Sequence, residues 1–106
     1  MTHRVELTAS AHVDLRELID FIASDSPPAA ERLLAALEAR ILALADFPDR
    51  GSHPRELLEL GLRDYRQVIE PPVRIVYRRH DDRVVVYLIA DSRRDMQRLL
   101  ARRLLG

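Results

Sequence analysis

The sequence predicts an α+β domain: an N-terminal strand, a helical hairpin, a three-strand antiparallel meander and a short C-terminal helix. Three patterns predict it. Apolar residues recur at three- and four-residue steps from Ala11 to Leu44, β-branched and aromatic runs alternate with turn signals from Leu62 to Ala90, and helical spacing returns after Arg93.

Arg4-Val5-Glu6-Leu7-Thr8 alternates polar and apolar residues, as a half-buried strand does. Ala11, Leu15, Leu18, Ile19 and Ile22 then mark one helical face, with Thr8 or Ser10 available as N-cap and Asp14 and Glu17 near the positive helix end. Asp25-Ser26-Pro27-Pro28 closes this helix and opens the next, because serine suits the N-cap and proline the first helical position. Leu33, Leu34, Leu37, Ile41 and Leu44 form the second stripe. So short a junction predicts an antiparallel hairpin.

Phe47-Pro48-Asp49-Arg50-Gly51 stops the second helix, and the turn-rich residues through Pro54 predict an exposed loop. Leu62–Ile69, Val73–Arg79 and Arg83–Ala90 read as three strands divided by Glu70-Pro71-Pro72 and His80-Asp81-Asp82. Val84 to Ile89 is apolar on both faces, which places that strand in the middle of the sheet. Met96, Leu99, Leu100 and Leu104 form the apolar side of the last helix and are expected to pack on the sheet.

A chain of 106 residues, 47% apolar and 32% charged, is sized for a single domain spanning 1–106. The absence of cysteine excludes disulfides, thiolate metal sites and a cysteine nucleophile, and no cofactor is expected. His3, His12, His53 and His80 lack metal-ligand spacing, so no metal is expected either. No segment has the apolar length of a membrane span, and the expected location is cytoplasmic. All 17 basic residues are arginine, which excludes lysine chemistry and supplies guanidinium forks suited to phosphate and carboxylate. Net charge is zero, yet before Gly61 there are 6 arginines against 11 acids and after it 11 against 6. The basic half is the kind of surface that attracts a polyanion or an acidic protein.

The element order, with Val73-Arg74-Ile75-Val76-Tyr77 and Val84-Val85-Val86-Tyr87-Leu88-Ile89 ahead of Arg93-Arg94-Asp95, resembles the RelE/ParE superfamily of bacterial toxins. Phe47-Pro48 with Gly51, then Gly61-Leu62-Arg63, is similar to that family's loop and its approach to the second strand. The resemblance covers nearly the whole chain. It implies the toxin of a type II toxin-antitoxin system, of the kind tied to plasmid stabilisation and growth inhibition, silenced by a cognate antitoxin in a hetero-oligomer. ParE-like members inhibit DNA gyrase, whereas RelE-like members cleave messenger RNA on the ribosome.

Ribonuclease chemistry needs groups that move protons and cations that hold the phosphate's growing charge. By resemblance, Arg74 and Arg94 match the family's phosphate-holding arginines. The family's strand-two lysines fall on Tyr65 and Gln67, its helix tyrosine falls on Leu100, and a histidine used by another branch falls on Asp91 or Ser92. The clamp is kept and the proton-transfer set is not. Gyrase inhibition is therefore slightly favoured over an endoribonuclease using Arg74, Arg94 and Tyr65, with a non-toxic peptide-binding module as the third reading.

Pairing Gln67 with Arg74 across the Glu70–Pro72 turn would set Tyr65 opposite Val76 and Arg63 opposite Arg78, all on one face. The expected target or antitoxin surface is then Arg63, Gln67, Arg74, Arg78, Arg93, Arg94 and Arg98. Tyr77 and Tyr87 are expected in the core, His80 in a plain surface turn, and Asp91 in capping or a local ion pair.

Overall fold

Thr8 turns the chain from strand to helix: its hydroxyl accepts the Ala11 N–H at 3.0 Å. That ends strand β1 (Arg4–Leu7) and starts α1 (Ala9–Ala23) in the computed structural model, which describes residues 2–105. Ser26 repeats the device for α2 (Pro27–Ala43), accepting from Ala29 N–H at 3.3 Å with proline at the first helical positions. Each cap contributes on the order of 1 kcal/mol. A single helical turn, α3 (Arg55–Leu58), leads into β2 (Tyr65–Glu70), β3 (Val73–His80) and β4 (Arg83–Asp91), and α4 (Met96–Leu105) follows.

The strands lie in the order β1-β4-β3-β2. Only β1 runs parallel to its neighbour, pairing Arg4–Leu7 with Arg83–Val86, and the rest is the antiparallel meander. The doubly apolar run of β4 is thus interior, as its composition requires.

Both sheet faces are covered. The helical hairpin packs Ala11, Leu37, Ile41 and Leu44 on Val73, Ile75, Tyr77, Val84, Val86 and Ile89. On the opposite face α3 and α4 pack Leu57, Met96, Leu99 and Leu100 on Val76, Leu88 and Ala90. A β-bulge makes this division possible. Tyr77 pairs with Val86 but Val76 with Leu88, leaving Tyr87 as the extra residue. Plain alternation would put Val86 and Leu88 on one face, and the bulge sends them to opposite cores.

The loop after α2 departs from its expected exposure: Pro48, Gly51 and Pro54 are buried. Ser52 and Gln67 exchange backbone hydrogen bonds of 3.1 and 2.7 Å, which lays the loop along the outer edge of β2. The Gly51 N–H donates to the buried Tyr77 hydroxyl at 2.9 Å, and Arg66 donates to the Gly51 carbonyl at 2.8 Å. Burial pushes the Tyr77 phenol pKa up, so it stays a neutral hydrogen-bonding group.

A Cβ on Gly51 would lie 2.5 Å from the Gln67 carbonyl oxygen and 2.7 Å from the Tyr77 hydroxyl. Gly51→Ala is therefore expected to cost about 1–3 kcal/mol, as overpacking does. A lowered urea midpoint with an unchanged slope would show it, and an unchanged midpoint would contradict the packing described here.

Candidate interaction surfaces

The register of β2 on β3 differs by two residues from the expected one. Tyr65 pairs with Arg78, Gln67 with Val76 and Ile69 with Arg74, because Glu70 extends β2 and only Pro71 and Pro72 form the turn. An even slip keeps the same side chains on the same face but changes their neighbours. Arg63 now precedes the strand and does not sit opposite Arg78. The centre of that face is also occupied, by α3 and α4.

Arg74 points into this covered region. Its Nη1 and Nη2 donate to both Glu56 carboxylate oxygens at 2.9 and 3.0 Å, and Nη1 also reaches the Gln67 side-chain oxygen at 3.2 Å. Only 17% of the Arg74 side chain and 15% of Glu56 remain exposed. The hydrogen bond from Arg74 holds the Glu56 carboxyl below its ordinary range, outweighing the burial that would raise it. This fork ties α3 to β3.

The remaining arginines separate. Arg78 lies 5.7 Å over the Tyr65 ring and 3.9 Å from Asp64, near the β3–β4 turn. Arg93 donates through Nε and Nη2 to Asp91 at 2.9 and 2.6 Å, and its backbone N–H adds a third bond. Those bonds hold the Asp91 carboxyl down at about 2. Arg63, Arg94 and Arg98 are exposed and make no ion pair among the described residues. Because Asp91 pairs with Val73, Arg94 stands at the opposite end of the strands from Arg78. One continuous arginine platform is not formed: Arg74 is internally paired, and the others divide between two ends. Asp95, not Asp91, caps α4, accepting the Arg98 N–H at 3.1 Å.

Two groupings escaped the sequence reading. Tyr87 joins Tyr65 edge to face at 5.6 Å and meets His80, its hydroxyl 2.8 Å from Nε2, so neither Tyr87 nor His80 has the plain role expected of it. The signal was the three-strand register, which brings Tyr65, Arg78 and Val85 into line. The second grouping is on the other edge of the sheet. Asp14 of α1 accepts the Ile89 N–H at 3.1 Å and both Arg103 nitrogens at 2.8 and 2.9 Å, and Arg103 also donates to the Tyr87 carbonyl at 2.9 Å. Asp14 was expected to serve its own helix end, and Arg103 counted among the arginines of the basic second half of the chain. Each instead clasps the edge of β4.

Among the described residues no three His, Asp or Glu side chains gather as a metal set, and no helix is long and apolar enough to cross a membrane. Leu100, at the position of the family's tyrosine, is fully buried.

Glu56→Gln is expected to lower stability by about 1–3 kcal/mol near neutral pH, as loss of a charge-assisted hydrogen bond does. The folded-state pKa of Glu56 lies below 4.5, so the pair's contribution is complete above that value and is lost as pH falls through the folded one. Unfolding curves of the variant and the parent should therefore converge in acid, and a constant offset across that range would assign the loss to another cause.

The model of the family described as the ParE toxin of the type II toxin-antitoxin system parDE matches residues 5–96. No curated protein matches the sequence. Among solved structures, the chromosomal ParDE toxin-antitoxin system of P. aeruginosa superposes with a TM-score of 0.68 at 17% identity, over 85% of this chain and 96% of that one. The RelBE2 toxin-antitoxin complex of Mycobacterium tuberculosis follows with a TM-score of 0.60 at 23% identity, over 86% and 92%. At such identities the structures speak for the fold, a RelE/ParE-like sheet with its hairpin and C-terminal helix. With 92 of 106 positions inside the family match, this chain belongs to the ParE toxins of type II toxin-antitoxin systems.

Proposed function

We propose that the chain is a bacterial, cytoplasmic growth inhibitor that acts by binding DNA gyrase and is silenced by its cognate antitoxin in a hetero-oligomer. The observation that carries this reading is the state of Arg74. A phosphate clamp needs a guanidinium free to meet the developing charge, and that of Arg74 is spent bidentately on Glu56. Arg94 stands apart from it, and Tyr65 is packed against Tyr87. Inhibition by binding needs none of these groups to move a proton. Exposed arginines suffice for contact, and Arg63, Arg93, Arg94 and Arg98 supply them, with the half-buried Arg78 at the end of the strands opposite Arg94 and Gln67 held by Arg74. Membership of the ParE toxins favours gyrase as the target.

Purified chain titrated into a gyrase supercoiling assay is expected to inhibit it, and induction in bacteria to arrest growth with filamentation and DNA damage signalling. Arg74→Ala should lower stability and leave the inhibition intact. Undiminished supercoiling together with codon-phased messenger cuts in a translating extract would overturn the proposal in favour of a ribosome-dependent endoribonuclease. Soluble protein that neither arrests growth nor inhibits gyrase would leave only a peptide-binding module.

A further inference from the structure

We infer that the outer face of α4 lies on the phosphate backbone of duplex DNA, the polyanion that gyrase holds, with Arg98 and Arg102 as its charge contacts. The inference rests on the gyrase reading and adds to it a second component of the target.

The face is set by what α4 buries. Met96, Leu99 and Leu100 turn inward onto Val76, Leu88 and Ala90, and Arg103 turns to the carboxylate of Asp14. Arg98 and Arg102 are left exposed and without an ion pair among the described residues. Being four residues apart, they stand on one side of the helix, about 6 Å from each other along its axis. Arg94 lies four residues earlier, just ahead of the helix, and lines the same cleft as Arg102. No acid occurs between Met96 and Leu105, and Asp95 before them accepts the Arg98 N–H as the helix cap. Like charges at this spacing repel within a helix, and a row of phosphates offsets that repulsion.

The composition of the face decides which polyanion fits. A lipid surface takes up a helix through its apolar side, and that of α4 is already buried on the sheet. An acidic protein is gripped around a desolvated aromatic or aliphatic anchor, whereas this face offers Gln97, Arg98, Ala101 and Arg102, with Leu105 exposed at its far end. Single-stranded nucleic acid is held by stacking its bases on aromatic rings, and α4 has none. What remains is a short row of charge that asks nothing of the bases. Guanidinium forks on a duplex backbone meet that description, and such contacts fix position without reading sequence. Supercoiling requires gyrase to hold a duplex, so a chain docked on the enzyme meets that backbone.

The test measures binding of the full chain to two labelled duplexes of unrelated sequence by fluorescence anisotropy, over a salt series. Both duplexes are expected to bind alike. Each phosphate contact contributes about 0.9 to the slope of log affinity against log salt, so Arg98→Ala combined with Arg102→Ala should flatten it by about 1.8. Between about 50 and 200 mM salt the parent should then lose roughly tenfold more affinity than the variant. Both are exposed helix positions, where alanine favours the fold. Arg98→Lys with Arg102→Lys keeps the charge and should restore the parent slope. Removing two exposed arginines of the hairpin, Arg16→Ala with Arg32→Ala, should leave the slope unchanged. The α4 alanine pair should also weaken supercoiling inhibition while its binding to gyrase free of DNA persists. The inference is overturned by a slope or an inhibition that the alanine pair does not move. Tighter binding to a single strand or to anionic vesicles than to duplex would overturn it as well. Failure of the parent chain to bind gyrase free of DNA would, by itself, overturn the gyrase reading.

Discussion

The structure depends on one strand being buried on both faces while keeping two different partners. β4 is apolar through Val84–Ile89, and its bulge at Tyr87 lets Val86 serve the hairpin side and Leu88 serve the side of α3 and α4. Without that extra residue the second half of the strand would present its side chains to the wrong layers, and either α4 or the hairpin would lose its floor. The bulge also turns Tyr87 onto the face where Tyr65 and His80 meet it. A single irregularity thus sets both the layering and the aromatic cluster.

Electrostatics within the chain follow from this layering. Once α3 and α4 cover the second face, an arginine at position 74 is largely enclosed, and an enclosed guanidinium needs a carboxylate with good fork geometry. Glu56 provides it from α3. The same requirement explains Asp14 and Arg103, at 10% and 23% side-chain exposure, which meet across the edge of β4 and satisfy backbone groups that β1 is too short to reach. The basic half of the sequence is therefore not a uniformly attractive surface. Part of its charge holds the helices in place, and the part left over is divided between the two ends of the strands.

Most of the fold was legible from particular residues. Thr8 or Ser10, and Ser26, announced the helix starts through their hydroxyls, with the structure deciding for Thr8; Pro27 and Pro28 marked the hairpin junction, and the doubly apolar Val84–Ile89 placed its strand inside the sheet. The loop from Phe47 to Pro54 was not legible, because turn residues report backbone conformation and say nothing of whether a neighbouring strand will hydrogen-bond to them. Gly51 lies against Gln67 and Tyr77, two groups that reach it only through long-range pairing. The surface residues were read half correctly. Alternation put Tyr65, Gln67, Arg74 and Arg78 on one face, but a two-residue slip in the turn decided which of them touch.

By itself the sequence determined the α+β class, the order of the four strands and the three longer helices, and most of their inward residues, since hydrophobic periodicity and capping chemistry are local; the single turn of α3 and the position of Tyr87 were not among them. Tertiary structure alone decided which arginines remain free. Pairing Arg74 with Glu56 across 18 positions, or Arg103 with Asp14 across 89, depends on the register and the layers that bring distant carboxylates within hydrogen-bond reach.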